Sequence, residues 1–163
     1  MRIVHIITRL IVGGAQENTL LSCEGQHDAG HDVTLITGPA IGPEGSLMTR
    51  ATEYGYKVET IDVMRRSILP FKDYLTYRRL IHRLRELKPD VVHTHSSKAG
   101  IIGRWAAHRA KVPKIVHTIH GLAFTTSTHP LVNSFYKWTE RRSAPITHKI
   151  VSVADAMTRV SLE

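Results

Sequence analysis

The chain has 163 residues, 42% of them hydrophobic, and a formal net charge of +8. This length and composition predict one globular domain with a full core, the longest apolar run is far shorter than a bilayer span, and a single cysteine excludes an internal disulfide. The positive charge indicates negatively charged partners such as phosphate-bearing substrates, an anionic membrane or nucleic acid. His5 and Arg9 interrupt the apolar N-terminal segment, so we predict no signal peptide and a cytoplasmic protein.

Short segments rich in valine and isoleucine alternate with helical patterns along the chain. The predicted strands are Ile3–Thr8, Asp32–Thr37, Lys57–Ile61, Asp90–Thr94, Lys114–Thr118 and Lys149–Val153. The predicted helices are Glu17–Ala29, Gly45–Tyr54, Phe71–Leu87, Lys98–Ala110 and Leu131–Arg142. This alternation predicts an α/β fold, with a doubly wound, mainly parallel sheet of about six strands and helices on both faces. Ligands of such folds bind beyond the carboxyl ends of the strands.

Two adjacent glycines, Gly13 and Gly14, separate the first predicted strand from the first helix. Glycines let a ligand approach the backbone, and the free amides and dipole of a helix N-terminus favour an anion. We therefore predict a site for a diphosphate group here, with a loop that merely requires positive φ as the alternative. The loop lacks the third glycine of G-x-G-x-x-G, which disfavours a nicotinamide or flavin site.

Further polar residues follow the fourth and fifth predicted strands. We expect Ser96 or Ser97 to cap the helix that begins there. Lys98 in the first turn opposes the helix dipole, so we interpret it as a cation beside a bound phosphate or acidic group, with a solvated lysine as the alternative. His120, between a strand and a glycine, is the best candidate for contact with a reacting group, and a structural histidine is the alternative.

Two pairs of histidines raise the question of a zinc site. His93 and His95 would share a face only if the fourth strand continued to His95, and His117 lies three residues before His120. Because no cysteine or carboxylate cluster joins these histidines, we predict that the protein binds no metal. Cys23, inside a predicted helix with no visible base, is expected to pack in the core.

The helix predicted over Phe71–Leu87 has an apolar stripe and a basic surface. We expect the stripe to be core and the basic surface to be solvated, with contact to anionic lipid as the alternative. The stripe contains Tyr74, Tyr77, Leu80, Ile81, Leu84 and Leu87. The basic surface contains Arg65, Arg66, Arg78, Arg79, His82, Arg83, Arg85 and Lys88.

Three motifs resemble the N-terminal domain of family 4 glycosyltransferases, which are retaining enzymes of the two-domain GT-B fold. The motifs are the loop at Gly13–Gln16, the stretch Lys88–Arg104 and the segment His117–Gly121. The resemblance covers essentially the whole chain and implies that residues 1–163 form one Rossmann-like, acceptor-side domain of a hexosyltransferase. It also implies roles for single residues. Gly13 and Gly14 would contact the donor diphosphate, His120 would be catalytic and touch the transferred sugar, and His95, Ser96, Ser97 and Lys98 would bind the acceptor.

The resemblance further implies a nucleotide-sugar donor, a UDP-sugar at the family level, and transfer to a saccharide or a lipid-linked acceptor without a metal or other cofactor. The protein would lie in the cytoplasm, peripheral to the inner face of the membrane, and act in polysaccharide biosynthesis. The family's C-terminal donor-binding domain, with two glutamates separated by seven residues, has no counterpart in these residues. We therefore expect the chain to belong to a longer protein and to be inactive alone.

Two other functions stay open at this point. One is half of a sugar-nucleotide epimerase of similar architecture, and the other is a basic binding domain without enzymatic activity. Nucleic-acid binding would require aromatic residues within the basic surface, yet aromatics are only 6% of the chain, so we predict no nucleic-acid partner. We also expect a loop at Phe124–His129 near the acceptor.

Overall fold

The computed structural model describes residues 1–121 and 129–162, so positions 124–128 of the predicted loop lie outside the described residues. The strands are β1 (Arg2–Ile7), β2 (Asp32–Thr37), β3 (Lys57–Thr60), β4 (Val91–His95), β5 (Lys114–Ile119) and β6 (Lys149–Ser152). The helices are α1 (Gly14–Asp28), α2 (Met48–Glu53), α3 (Pro70–Leu87), α4 (Ser97–Arg109), α5 (Pro130–Ser143) and α6 (Asp155–Leu162), with a 3-10 turn at Ala144–Ile146.

All strand pairs are parallel, and the sheet order is β3-β2-β1-β4-β5-β6. The predicted doubly wound α/β fold is therefore confirmed. In β1, adjacent side chains enter different cores: Ile6 packs with Leu80 and Ala106 on one face, and Ile7 packs with Leu20 and Cys23 on the other. Both faces of the central strands are covered, which explains why these strands are almost continuously apolar. None of the described helices is both long and apolar enough to cross a bilayer.

The predicted core stripe of α3 needs one correction. Leu80, Ile81 and Leu84 are buried as predicted, but Tyr74 is 54% exposed. Tyr74 lies at the edge of this stripe near the start of the helix, where its hydroxyl accepts a hydrogen bond of 3.1 Å from Arg78 Nη1. Cys23 is buried as predicted, and burial raises the pKa of its thiol.

Small residues in α4 bring this helix close to the sheet. A Cβ atom at Gly100 would meet the buried ring of His117. We expect Gly100→Ala to destabilise the fold by about 1–3 kcal/mol, because the imidazole must move within a packed core.

The matched control is Gly25→Ala in the interior of α1, where a Cβ atom meets no atom within 4 Å. This variant should stabilise the fold by about 0.5–1 kcal/mol, since alanine loses less backbone entropy than glycine. Urea unfolding of both variants measures the difference. Equal effects of the two substitutions would show that α4 is not packed as closely as described.

Candidate functional site

The predicted site residues follow or end the adjacent parallel strands β1, β4 and β5, so they lie toward one edge of the sheet. Ser96, Ser97 and Lys98 line a cleft at this edge, whereas Gly13, Gly14, His95 and His120 are not among its described lining residues. The Oγ1 atom of Thr8, after β1, lies 3.1 Å from the Oγ atom of Ser96, after β4. The cleft has a volume of about 790 Å³ and opens beside this contact. Its polar lining residues are Thr8, Arg9, Gln16, Glu44, Arg66, Asp73, Ser96, Ser97, Lys98, Tyr136 and Thr139, and its apolar ones are Ile7, Ile11, Val12, Ile68, Ile101, Ile102 and Phe135.

The glycine pair forms the start of α1. Gly13 has an extended backbone at φ 172°, and Gly14 is not among the residues with positive φ, so the alternative of a loop that requires positive φ is wrong. A Cβ atom at Gly14 would meet nothing within 4 Å. Within the described residues, no side chain caps α1. The first-turn amides of α1 are therefore open to an anion at the edge of the cleft.

The start of α4 lines the same cleft as Gln16 in the first turn of α1. Ser96 is the N-cap residue by position and has φ 61°, but its hydroxyl contacts Thr8 and not a first-turn amide. Ser97 is the first residue of the helix. The predicted side-chain cap is therefore wrong, because the left-handed backbone of Ser96 turns its hydroxyl toward β1. Ser96 and Ser97 do line the cleft as predicted.

Lys98 lines the cleft, but its ammonium group already has partners. Its Nζ atom lies 2.5 Å from Asp73 Oδ1 and also donates to the Ser67 carbonyl. The other carboxylate oxygen of Asp73 accepts from the Leu69 amide at 3.0 Å. Lys98 thus fastens α4 to the start of α3, an arrangement that its sequence position does not reveal. Its role toward the acceptor stays a prediction.

His95 differs most from the sequence-based interpretation. The side chain of His95 is fully buried, so in this structure it cannot contact an acceptor directly. The physical reason is that β4 continues through His95, which turns the ring toward His93, with ring centroids 4.2 Å apart. His95 Nδ1 lies 3.0 Å from Nε2 of His120, the partly buried residue that follows β5.

Burial keeps the imidazole rings of five histidines neutral. It lowers the pKa of His5 to about 4 and the pKa values of His93 and His117 to about 3. Burial also places the pKa of His95 well below 6.5 and lowers that of His120. These rings are therefore uncharged at neutral pH, and they act as hydrogen-bonding groups.

Three of these rings lie as close together as the ligands of a metal site would. Nitrogen atoms of His5, His93 and His95 lie within 4.8 Å of one another. His5 Nδ1 and His95 Nε2, however, face each other at 2.9 Å and share one hydrogen bond. A metal ion would have to break this bond. Metal-independence stays a prediction.

Sequence reasoning missed Arg9 and Phe135 in the cleft. Arg9 donates to the Ile41 carbonyl at 2.8 Å and pairs with Glu44 at 3.1 Å. It follows β1 directly, so the rule that ligands bind beyond strand ends could have found it. Phe135 reaches the cleft from α5, and its place depends on how α5 packs against α4, which no local pattern encodes.

Comparison with known proteins gives a consistent result. The profile of the glycosyl transferase 4-like domain family matches residues 13–160. The Escherichia coli protein UDP-Gal:alpha-D-GlcNAc-diphosphoundecaprenol alpha-1,3-galactosyltransferase is 32% identical over 151 residues, which are 93% of this chain and 38% of that protein. A solved glycosyltransferase from Rickettsia africae has a TM-score of 0.71 and 21% identity, over 99% of this chain and 39% of its own.

The fold is not restricted to transferases. A solved UDP-GlcNAc 2-epimerase from Methanocaldococcus jannaschii also has a TM-score of 0.71, with 11% identity over 99% of this chain and 42% of its own. At these identities, both solved structures show the fold alone. The chain spans less than half the length of each of these three proteins.

Proposed function

The chain belongs to the glycosyl transferase 4-like family, and on that premise we propose that it forms the acceptor-side half of a retaining hexosyltransferase. The donor is a nucleotide sugar, in this family a UDP-sugar, and the acceptor is a saccharide or a lipid-linked saccharide. A second domain holds the base and sugar of the donor, so this chain alone transfers nothing. The relative from E. coli is long enough to contain such a domain, since the chain spans 38% of its length.

The observation that carries the proposal is the free space at Gly14. Neither its φ nor a steric contact within the described residues requires glycine there. Glycine within a helix is less favourable than alanine, and Gly14 is the first residue of α1, so its presence beside the first-turn amides needs another reason. A diphosphate that approaches the first-turn amides of α1 supplies that reason, because any side chain would stand between them.

The composition of the cleft suits an acceptor with a lipid-linked diphosphate. Ile101, Ile102 and Phe135 give it an apolar wall. Its three cations, Arg9, Arg66 and Lys98, outnumber its two carboxylates, Glu44 and Asp73, so the described lining has a net positive charge. Such a pairing of apolar surface and cations matches a diphosphate attached to a hydrocarbon chain. The acceptor in the name of the E. coli relative is a diphosphoundecaprenol.

We place the mouth of this cleft at an anionic membrane surface on the cytoplasmic side. Phe71 is 74% exposed and Tyr74 is 54% exposed, next in sequence to the cleft residues Ile68 and Asp73. The basic surface is smaller than the sequence indicates, because the Arg83 guanidinium forms two hydrogen bonds of 2.6 Å with a glutamate of β3. Exposed aromatics beside the remaining basic groups suit a peripheral contact with anionic lipid.

The carboxylates of the cleft shape the proposed mechanism. The described part of the lining contains Glu44 and Asp73, and these carboxylates pair with Arg9 and Lys98 respectively. A paired carboxylate is a poor nucleophile, which argues against the double displacement of retaining glycosidases. In the proposed reaction, the leaving diphosphate oxygen accepts the proton of the acceptor hydroxyl on the same face of the sugar. The amides of α1 and nearby cations stabilise the charge of the leaving group without a metal ion.

The test is a product analysis with the complete enzyme, UDP-galactose and a lipid α-GlcNAc-diphosphate. We expect a new glycosidic bond with the anomeric configuration of the donor. In the proposed reaction the His120 imidazole contacts the transferred sugar, so His120→Ala should lower turnover by about 10²-fold or more. The control His108→Ala, at an exposed position of α4, should not. Interconversion of the free sugar nucleotide without an acceptor would instead support an epimerase. Unchanged turnover in His120→Ala would remove His120 from the mechanism.

A further inference from the structure

One line of hydrogen bonds runs through three imidazole rings, from the core to His120, the residue that follows β5. Gln26 Oε1 lies 2.8 Å from His5 Nε2. His5 Nδ1 lies 2.9 Å from His95 Nε2, and His95 Nδ1 lies 3.0 Å from His120 Nε2. The rings of His5 and His95 are fully buried and nearly parallel, at an angle of 14°. We call these four side chains the imidazole series.

The first member sets the direction of every bond in the imidazole series. A neutral imidazole has one nitrogen that donates and one that accepts. The Gln26 carbonyl oxygen only accepts, so the proton of His5 is on Nε2 and its Nδ1 is bare. That bare nitrogen accepts from His95 Nε2, which leaves Nδ1 of His95 bare. His95 Nδ1 in turn accepts from His120 Nε2, so the lone pair of His120 is on Nδ1.

This transfer of direction requires that each inner ring holds a single proton. An imidazolium ring has protons on both nitrogens and no acceptor, so it would break the series. Burial excludes that state at neutral pH, since it lowers the pKa of His5 to about 4 and that of His95 well below 6.5. The His93 ring, whose Nε2 lies 2.7 Å from Thr118 Oγ1, packs against both inner rings as a further neutral neighbour.

The geometry points to the three inner members of the imidazole series as positioning residues that fix His120 in one tautomer, with the proton on Nε2 and the lone pair on Nδ1. His120 then accepts a hydrogen bond from a ligand hydroxyl and donates none through Nδ1. Within residues 1–121 and 129–162, no hydrogen bond to His120 Nδ1 is present, and the side chain of His120 is only partly buried. Only the identity of that ligand, a sugar that carries the hydroxyl, rests on the proposed function.

Nitrogen NMR of the chain labelled with ¹⁵N-histidine reads this tautomer directly. At neutral pH, His120 Nε2 should show the shift of a protonated nitrogen and Nδ1 that of a bare nitrogen, with the signals identified by their loss in His120→Gln. A protonated Nδ1 and a bare Nε2 in the unmodified chain would overturn the inference. This spectrum does not depend on the folding of any variant in the series.

Substitutions at Gln26 test whether the first member controls the last. Gln26→Leu removes the anchor, so the His120 shifts should move to values between those of the two tautomers. Gln26→Glu keeps an oxygen that only accepts, so at pH 8, where the carboxylate does not protonate His5, it should keep the original shifts. The matched control Asn18→Leu, at an exposed position of the same helix and outside the imidazole series, should leave them in place. Unchanged His120 shifts in Gln26→Leu would refute the positioning role.

The readout separates this inference from the proposed function, because it needs no substrate. If the complete enzyme transfers no sugar but its His120 shows the expected tautomer, the proposed function is wrong and the inference about the tautomer holds. If the enzyme is active but His120 has the reversed tautomer, the inference about the imidazole series is wrong and the proposed function holds.

Discussion

The free energy of unfolding is expected to fall steeply as the pH drops below 6.5. In the unfolded chain a histidine binds its proton near pH 6.5, whereas burial lowers the pKa of His5 to about 4 and the pKa values of His93 and His117 to about 3. Between pH 6.5 and these lowered pKa values, the unfolded chain binds more protons than the folded chain does, so acidification stabilises the unfolded state relative to the folded state. Each buried ring contributes about 1.4 kcal/mol per pH unit, and three together about 4 kcal/mol per pH unit.

A domain whose free energy of unfolding is about 6–10 kcal/mol, within the ordinary range, would on this slope unfold between about pH 5 and pH 4. Urea unfolding at several pH values between 6.5 and 5 separates the effect of the histidines on the free energy of unfolding from that of most carboxylates, which titrate at lower pH. His117→Asn should reduce the slope by about 1.4 kcal/mol per pH unit, whatever its own stability. A free energy that stays constant from pH 6.5 to 5 would contradict the burial of these rings.

Gly14→Ala should abolish most transfer by the complete enzyme without harm to the fold. A methyl group at this position meets nothing within 4 Å in the described structure and should not lower stability. It would, however, stand between the first-turn amides of α1 and the donor diphosphate. The expected loss in turnover is about 10²–10³-fold, comparable to the removal of one hydrogen-bond donor to a developing charge.

The control for this variant is Gly25→Ala in the same helix, where the added methyl group also meets no neighbour and lies far from the cleft in sequence. Thermal unfolding and turnover are measured for both variants. Wild-type turnover in Gly14→Ala would show that no ligand group approaches this part of the backbone.

The fold could be predicted from sequence because its signals are local. Apolar runs such as residues 3–7 and 33–37 mark strands that are buried on both faces, and glycine or proline ends most helices. The one residue of the α3 stripe that was wrongly assigned to the core is Tyr74, near the start of the helix. Periodicity alone does not show at which residue the buried part of a stripe ends.

The site could be predicted only in part, because its contacts depend on distant segments. The rule of strand ends brings Gly14, Ser96 and His120 to one edge. The pairing of Lys98 with Asp73 depends on the docking of α3 beside α4. The contact between His5 and His95 joins residues 90 positions apart and follows from the adjacency of β1 and β4, which sequence patterns do not specify.

The central claim is that the open start of α1 receives the diphosphate of a nucleotide sugar beside His120. The most direct measurement is a titration of the ¹⁵N-labelled chain with UDP-galactose at millimolar concentration, followed through its backbone amide signals. We expect the amides of Gly14, Ala15 and Gln16 to shift together with that of His120, and Gly14→Ala to suppress these shifts. Shifts confined to the opposite edge of the sheet, with the amides of α1 unchanged, would contradict the account.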